Sequence, residues 1–202
     1  MVKKIVLASN NSGKAREFGE ILTPLGIDIH LQKEFEVPEV EENGLSFIEN
    51  ALIKARNAAK YAKMPALADD SGLCVDALKG APGIYSARYC GHWGDDKANN
   101  DKLLEELKDV PVDRRSARYF VALAFVRSFD DPVPVVVTAS WEGSIGLKPM
   151  GQNGFGYDPL FVVTGRNCTA AQIPHQIKNV ISHRARALSL LVAELKRCRD
   201  IK

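Results

Sequence analysis

Two long runs rich in Val, Phe and Tyr, residues 117–129 and 133–141, constrain this chain most. β-Branched and aromatic side chains suit a pleated, half-buried surface. Asp130-Asp131-Pro132 separates the runs and breaks an extended chain, so the pair predicts an antiparallel hairpin. Ahead of it the pattern alternates. Residues 5–8 predict a buried strand, and Phe18, Ile21, Leu22 and Leu25 recur at helical spacing. Pro24 lies near that helix's end and Gly26 fits its C-cap. Residues 27–31 predict a second strand. The acidic stretch 34–44, which holds Pro38, predicts a loop. Leu45, Ile48, Leu52, Ala55, Ala59 and Ala62 form one apolar stripe, capped by Asn43 or by Ser46 with Glu49 as a capping box. Residues 66–69 predict a short strand, 80–83 a turn, 97–107 a helix with Leu103, Leu104 and Leu107 inward, and 153–158 a glycine loop. Leu188, Leu191, Val192 and Leu195 mark a terminal helix. This order predicts an α/β fold on a mixed sheet rather than a purely parallel one.

A chain of 202 residues suggests one domain or two small lobes, and no linker or repeat interrupts it. The formal net charge is +2 and the basic residues are dispersed, unlike a nucleic-acid stripe. No run approaches membrane-spanning length, and residues 1–10 predict a strand rather than a secretory signal. Cys74, Cys90, Cys168 and Cys198 contain no C-x-x-C pair, which argues against zinc and for reduced thiols in a cytoplasm.

The chemistry concentrates in a few polar segments. Leu67-Ala68-Asp69-Asp70-Ser71-Gly72-Leu73 places two carboxylates side by side. On an extended chain they point to opposite faces, so one can meet a ligand while the other braces the backbone. Asp pairs at strand ends suit a divalent cation, although Asp-Asp-Ser-Gly is also good turn chemistry. Ser9-Asn10-Asn11-Ser12-Gly13-Lys14 lies between a strand and a helix, where backbone N–H groups, polar side chains and a lysine can bind an anion. It is no Walker motif, because positions 8 and 15 are both Ala. An ordinary N-cap at Ser12 is the plainer alternative. Glu41 and Glu42 precede a helix carrying Asn50 and Lys54, which share one face. Either glutamate could join Asp70 at a metal, or the segment is a solvated acidic loop. Asn153-Gly154-Phe155-Gly156-Tyr157-Asp158 can stack a ring on a flat heterocycle, or is a glycine turn with a packing Phe. Ser182-His183-Arg184 puts two potential cations in the first turn of a helix, against its dipole, which favours a ligand role. His175 and Lys178 lie just upstream.

Five of these segments in this order resemble the inosine triphosphate pyrophosphatase family, and especially its bacterial noncanonical purine nucleoside triphosphate pyrophosphatases. The resemblance rests on residues 7–14, on residues 41–51 with Lys54, and on residues 68–72 continued by 81–89. Residues 154–159 and Ser182-His183-Arg184 complete it. It implies a single module over residues 1–202, with two lobes around a long mixed β-sheet, a central substrate cleft, and a homodimer. It also implies Mg²⁺-dependent cleavage of ITP, dITP and XTP to the monophosphate and pyrophosphate. By position, Glu41 and Asp70 match metal ligands, and Asp70 also matches the general base. Ser9, Asn10, Asn11, Ser12, Gly13, Lys14 and Ser71 match substrate contacts. Phe155, Gly156, Tyr157, Asp158, Lys178, His183 and Arg184 match the base-recognition end. Lys54, Asn50 and Asp69 are supporting candidates. The family often has Glu-Glu-Lys where this chain has Gln176-Ile177-Lys178. Two other readings compete. A Maf-type pyrophosphatase would carry a Ser-x-Ser-Pro-Arg-Arg type loop, absent here, and a non-catalytic nucleotide-binding module would bind without releasing pyrophosphate.

Overall fold

Ile5, Val6 and Leu7 are fully buried, which makes β1 (Lys4–Leu7) an interior strand. It pairs in parallel with β2 (Asp28–Leu31) on one side and β3 (Ala66–Val75) on the other. The computed structural model describes residues 2–201, and Ser12 through its backbone alone. Three further strands, β4 (Ser116–Val126), β5 (Val135–Ile145) and β6 (Phe161–Val163), complete a six-stranded sheet in the order β2-β1-β3-β4-β5-β6. β6 runs antiparallel to β5, so the sheet is mixed, as the alternation followed by a hairpin implies. Among the described residues five α-helices accompany it: α1 (Ser12–Leu22), α2 (Phe47–Ala62), α3 (Asp96–Glu106), α4 (His175–Ile181) and α5 (His183–Arg197).

Several elements depart from the periodicity reading. α1 ends at Leu22 with Thr23 as its C-cap; Gly26, at φ 75°, instead closes a short 3₁₀ turn over Thr23–Leu25. The buried face of α2 is Asn50, Ala51, Ala55, Ala58, Ala59 and Ala62. Leu45 precedes the helix and is 87% exposed, so the apolar stripe does not begin there. Ser46 is the cap, accepting from the Glu49 N–H at 3.2 Å. β3 is ten residues long rather than four. It continues because Leu73 and Val75 are fully buried beyond the aspartates, and because lysines neutralise both aspartates. The segment joining β4 to β5 is fastened by Arg56, which donates to the Phe129 and Asp131 carbonyls at 2.7 and 2.9 Å. β6 has only three residues, too few for a periodic signature.

The chain divides into two compact units. The first comprises residues 1–70, 122–138 and 187–202; the second comprises 71–121 and 139–186. In the first, α1 packs on β2 and α2 on β1. The second has its own core, which includes Leu73, Leu103, Leu107, Tyr119, Trp141, Tyr157 and Phe161. Among the described residues no helix is long and apolar enough to cross a membrane, and the four cysteines are free thiols.

Candidate active site

The first unit assembles a compact group of charges around β3. The strand's alternation sends the two aspartates to different helices. Lys14, in the first turn of α1, bonds Asp69 Oδ1 at 2.8 Å. Lys54, on α2, bonds Asp70 Oδ1 at 2.7 Å and Glu42 Oε2 at 3.2 Å. Asp69 and Asp70 are 2% and 8% exposed, so these are buried carboxylates rather than solvated turn residues. Asp70 Oδ2 is buried and has no hydrogen-bond partner. Burial pushes the Asp70 carboxyl up to about 6, against the pull of Lys54. Burial opposes charge on Lys54, yet Asp70, Asp69 and Glu42 together hold its ammonium above the ordinary lysine value.

Below its folded value near 6, Asp70 keeps a proton that the unfolded chain has already released. That binding stabilises the fold below about pH 4 and is lost as pH rises through about 6. Metal-free Asp70→Asn should therefore lose less stability than the parent protein between those limits. Urea midpoints of the two proteins, taken across that window with chelator present, check it.

The loop after β1 is ordered by its own side chains. Ser9 Oγ accepts from the Asn11 N–H at 3.1 Å, and Asn11 Oδ1 accepts from the Lys14 N–H at 3.1 Å. Asn11, not Ser12, is therefore the cap of α1. Asn10 is exposed, whereas Ser9, Gly13 and Lys14 are half-buried, as is Ser71 beyond Asp70. Glu41 is exposed, while Glu42 is the glutamate that reaches Lys54. Asn50 is buried and accepts from the Gly44 N–H at 2.9 Å, so it fastens the acidic segment to α2.

The second unit holds another cluster. Asp158, 2% exposed, is ion-paired with Lys178 and accepts from the Phe155 N–H at 3.0 Å. Tyr119 also hydrogen-bonds Asp158; burial first, then that carboxylate, pushes the phenol well above its usual range. The Tyr119 ring stacks on His183 at 4.9 Å. Phe155 is 51% exposed, with Lys178 Nζ 5.2 Å and Arg184 Cζ 6.0 Å from its ring centre. Its ring is thus open to stacking and flanked by cations. Tyr157 is turned inward, and its hydroxyl donates to the Ser86 carbonyl at 2.8 Å. His183 and Arg184 are buried at the start of α5. Gly154 is required by space, because a Cβ there would run into the Asp158 carboxylate.

Sequence reasoning missed Tyr119, Asp96 and Asn100. Tyr119 sits in a long apolar strand, where its hydroxyl gives no signal. Asp96 and Asn100 stand four apart on α3, and that spacing was available in the sequence.

The chain is thus an α/β protein whose first unit holds paired buried carboxylates, each bound by a lysine, and whose second unit holds an exposed ring flanked by cations. Comparison with known proteins narrows this class. The sequence profile of the Ham1 family matches residues 5–194. The chain is 52% identical to the dITP/XTP pyrophosphatase of Shigella flexneri over 96% of this chain and 99% of that protein. It is also 52% identical to the enzyme of that name from Vibrio cholerae, over 94% of this chain and 95% of the relative. A HAM1 protein from Coxiella burnetii superposes with a TM-score of 0.92 at 47% identity, covering 98% and 100% of the two chains. A dITP/XTP pyrophosphatase from Mycobacterium abscessus superposes at 0.79 with 46% identity, covering 93% and 98%. The chain belongs to the Ham1 family.

Proposed function

We propose that this protein hydrolyses noncanonical purine nucleoside triphosphates (dITP, XTP and ITP) to the monophosphate and pyrophosphate, and so clears them from the nucleotide pool. The observation that carries this reading is the state of Asp70. One of its oxygens is tied to Lys54 of α2, while the other is buried and unpartnered. The names of relatives at about half identity over nearly the whole chain support the same conclusion.

Magnesium fits the donor set. Among the described residues no group of three or more His, Cys, Asp and Glu side chains could hold a metal by itself. Mg²⁺ is ordinarily held by one or two carboxylates plus substrate phosphates. Asp70, through its unpartnered Oδ2, would hold it with Glu41 or Glu42. Bound there, it would polarise the α-phosphate and lower the pKa of a water.

The chain's own residues do the rest. Asp70 accepts the proton of the attacking water as general base. Lys14 and Lys54 neutralise charge that builds on the departing pyrophosphate. The charges of Lys14 and Lys54 suit a polyphosphate, and Phe155, Asp158, Lys178, His183 and Arg184 suit a purine base. A 6-oxo purine satisfies donors such as Arg184, whereas the 6-amino group of adenine would face a donor. Each such mismatch costs about 1–3 kcal/mol, roughly a factor of 10 to 100. A single module over residues 1–202 that pairs into a homodimer belongs to the same reading.

Pyrophosphate release from dITP, XTP and dATP, with and without Mg²⁺, tests it. The expected result is Mg²⁺-dependent cleavage of dITP and XTP with kcat/KM roughly 10- to 100-fold above dATP. Metal-independent cleavage, equal cleavage of dATP, or no release from dITP or XTP would overturn it.

A further inference from the structure

Both polar groups of one residue in the Phe155–Asp158 loop are held by α3. The Gly156 N–H donates to Asp96 Oδ2 at 2.7 Å. The Gly156 carbonyl accepts from Asn100 Nδ2 at 2.9 Å. Asp96 and Asn100 are one turn apart, so a single face of α3 grips both sides of the residue. Asn100 Nδ2 also donates to the Asp96 carbonyl at 2.7 Å. Two carbonyls facing the same nitrogen fix the orientation of that amide. Asn100 is 7% exposed, so its grip lies in a dry environment where a bond is worth more.

The gripped residue is conformationally special. Gly156 has φ 61°, in the left-handed region, and no atom lies within 4 Å of where its Cβ would be. Glycine is therefore present for backbone freedom and not for lack of room. Freedom of this kind makes a loop soft unless something outside holds it. On one side of Gly156 the Phe155 ring is exposed; two residues on, Asp158 is buried against Lys178. The Phe155 N–H and Asp158 are already bonded to each other. The loop's backbone is thus largely spent internally and on α3, and the exposed ring is the part it presents.

We infer that Asp96 and Asn100 are positioning residues for purine recognition, setting the Phe155 ring and Asp158 through Gly156 without touching substrate. This rests on the functional reading above. Three variants test it by two independent measurements. The first is hydrogen exchange of the 153–158 segment in the ligand-free protein. Asp96→Ala and Asn100→Ala should each speed exchange there by about tenfold or more, the worth of one lost hydrogen bond. Asp96→Asn keeps an acceptor for the Gly156 N–H and should stay close to the parent protein. The second measurement is steady-state kinetics with dITP. KM should rise by about tenfold in both alanine variants, with kcat changed by less than about threefold and with Asp96→Asn rescuing KM. Unchanged exchange in folded alanine variants would overturn the proposal. So would faster exchange with an unaltered KM, or a fall in kcat with KM preserved, because either outcome leaves α3 a purely structural partner. If the parent protein fails to cleave dITP, the functional reading falls; the exchange measurement still decides whether α3 holds the loop.

Discussion

Asp70→Asn should lower kcat for dITP on the order of a thousandfold, the usual worth of a positioned general base, while nucleotide binding persists. The substitution is nearly isosteric. Lys54 can still bond the side chain through its remaining carbonyl oxygen at the position of Oδ1. The new amide nitrogen replaces Oδ2, which has no partner to lose. Folding is therefore preserved, and the loss falls on proton acceptance and on the charge available to a cation. Removing a negative charge beside a triphosphate also favours ground-state binding, so Kd for dITP should not rise. Single-turnover kinetics with a binding isotherm separate these effects. A kcat within about tenfold of the parent would remove Asp70 from the chemical step.

Lys178→Met should destabilise the protein by about 3 kcal/mol, the scale for breaking a buried pair. Lys178 and Asp158 side chains are 13% and 3% exposed, and removing the ammonium leaves a carboxylate in the core of the second unit. The Phe155 N–H and Tyr119 remain as donors, which limits the damage without cancelling it. For a chain of this length the loss corresponds to a fall in Tm of roughly 6–12 °C. The double variant Lys178→Met/Asp158→Asn removes both charges and should recover part of the loss, because the cost lies in the uncompensated ion. Denaturant titration of the single and double variants gives the comparison. No recovery in the double variant would mean that packing of the lysine stem, rather than charge pairing, supports the loop.

The secondary structure was legible where burial is one-sided and periodic. Phe18 and Leu22 mark α1, Leu103 and Leu107 mark α3, and Leu188, Leu191 and Leu195 mark α5; all are buried as spaced. Legibility failed where the deciding partner lies far along the chain. β3 continues through Asp69 and Asp70 because lysines 55 and 16 residues earlier neutralise them. A local reading ends the strand at Asp69 and leaves turn chemistry and a cation site as the alternatives there. The two aspartates, Lys14 and Lys54 were visible as candidates, but which glutamate meets Lys54 was not: Glu41 and Glu42 are adjacent and differ only in direction. The Asp158–Lys178 pair spans 20 residues, and Tyr119 reaches Asp158 from a mainly apolar strand. Long-range pairing of this kind has no signature in spacing.

Helix α3 is anchored at both ends. Near its start it grips Gly156, and just past its end the buried Arg115 guanidinium donates to the Leu107 and Val110 carbonyls at 2.6 and 3.0 Å. A strut fixed at two points transmits small shifts instead of absorbing them. Preference among purines can thus drift through substitutions along this rod that never meet a nucleobase. Directed libraries aimed at altered base choice have reason to include its length, and not the pocket walls alone.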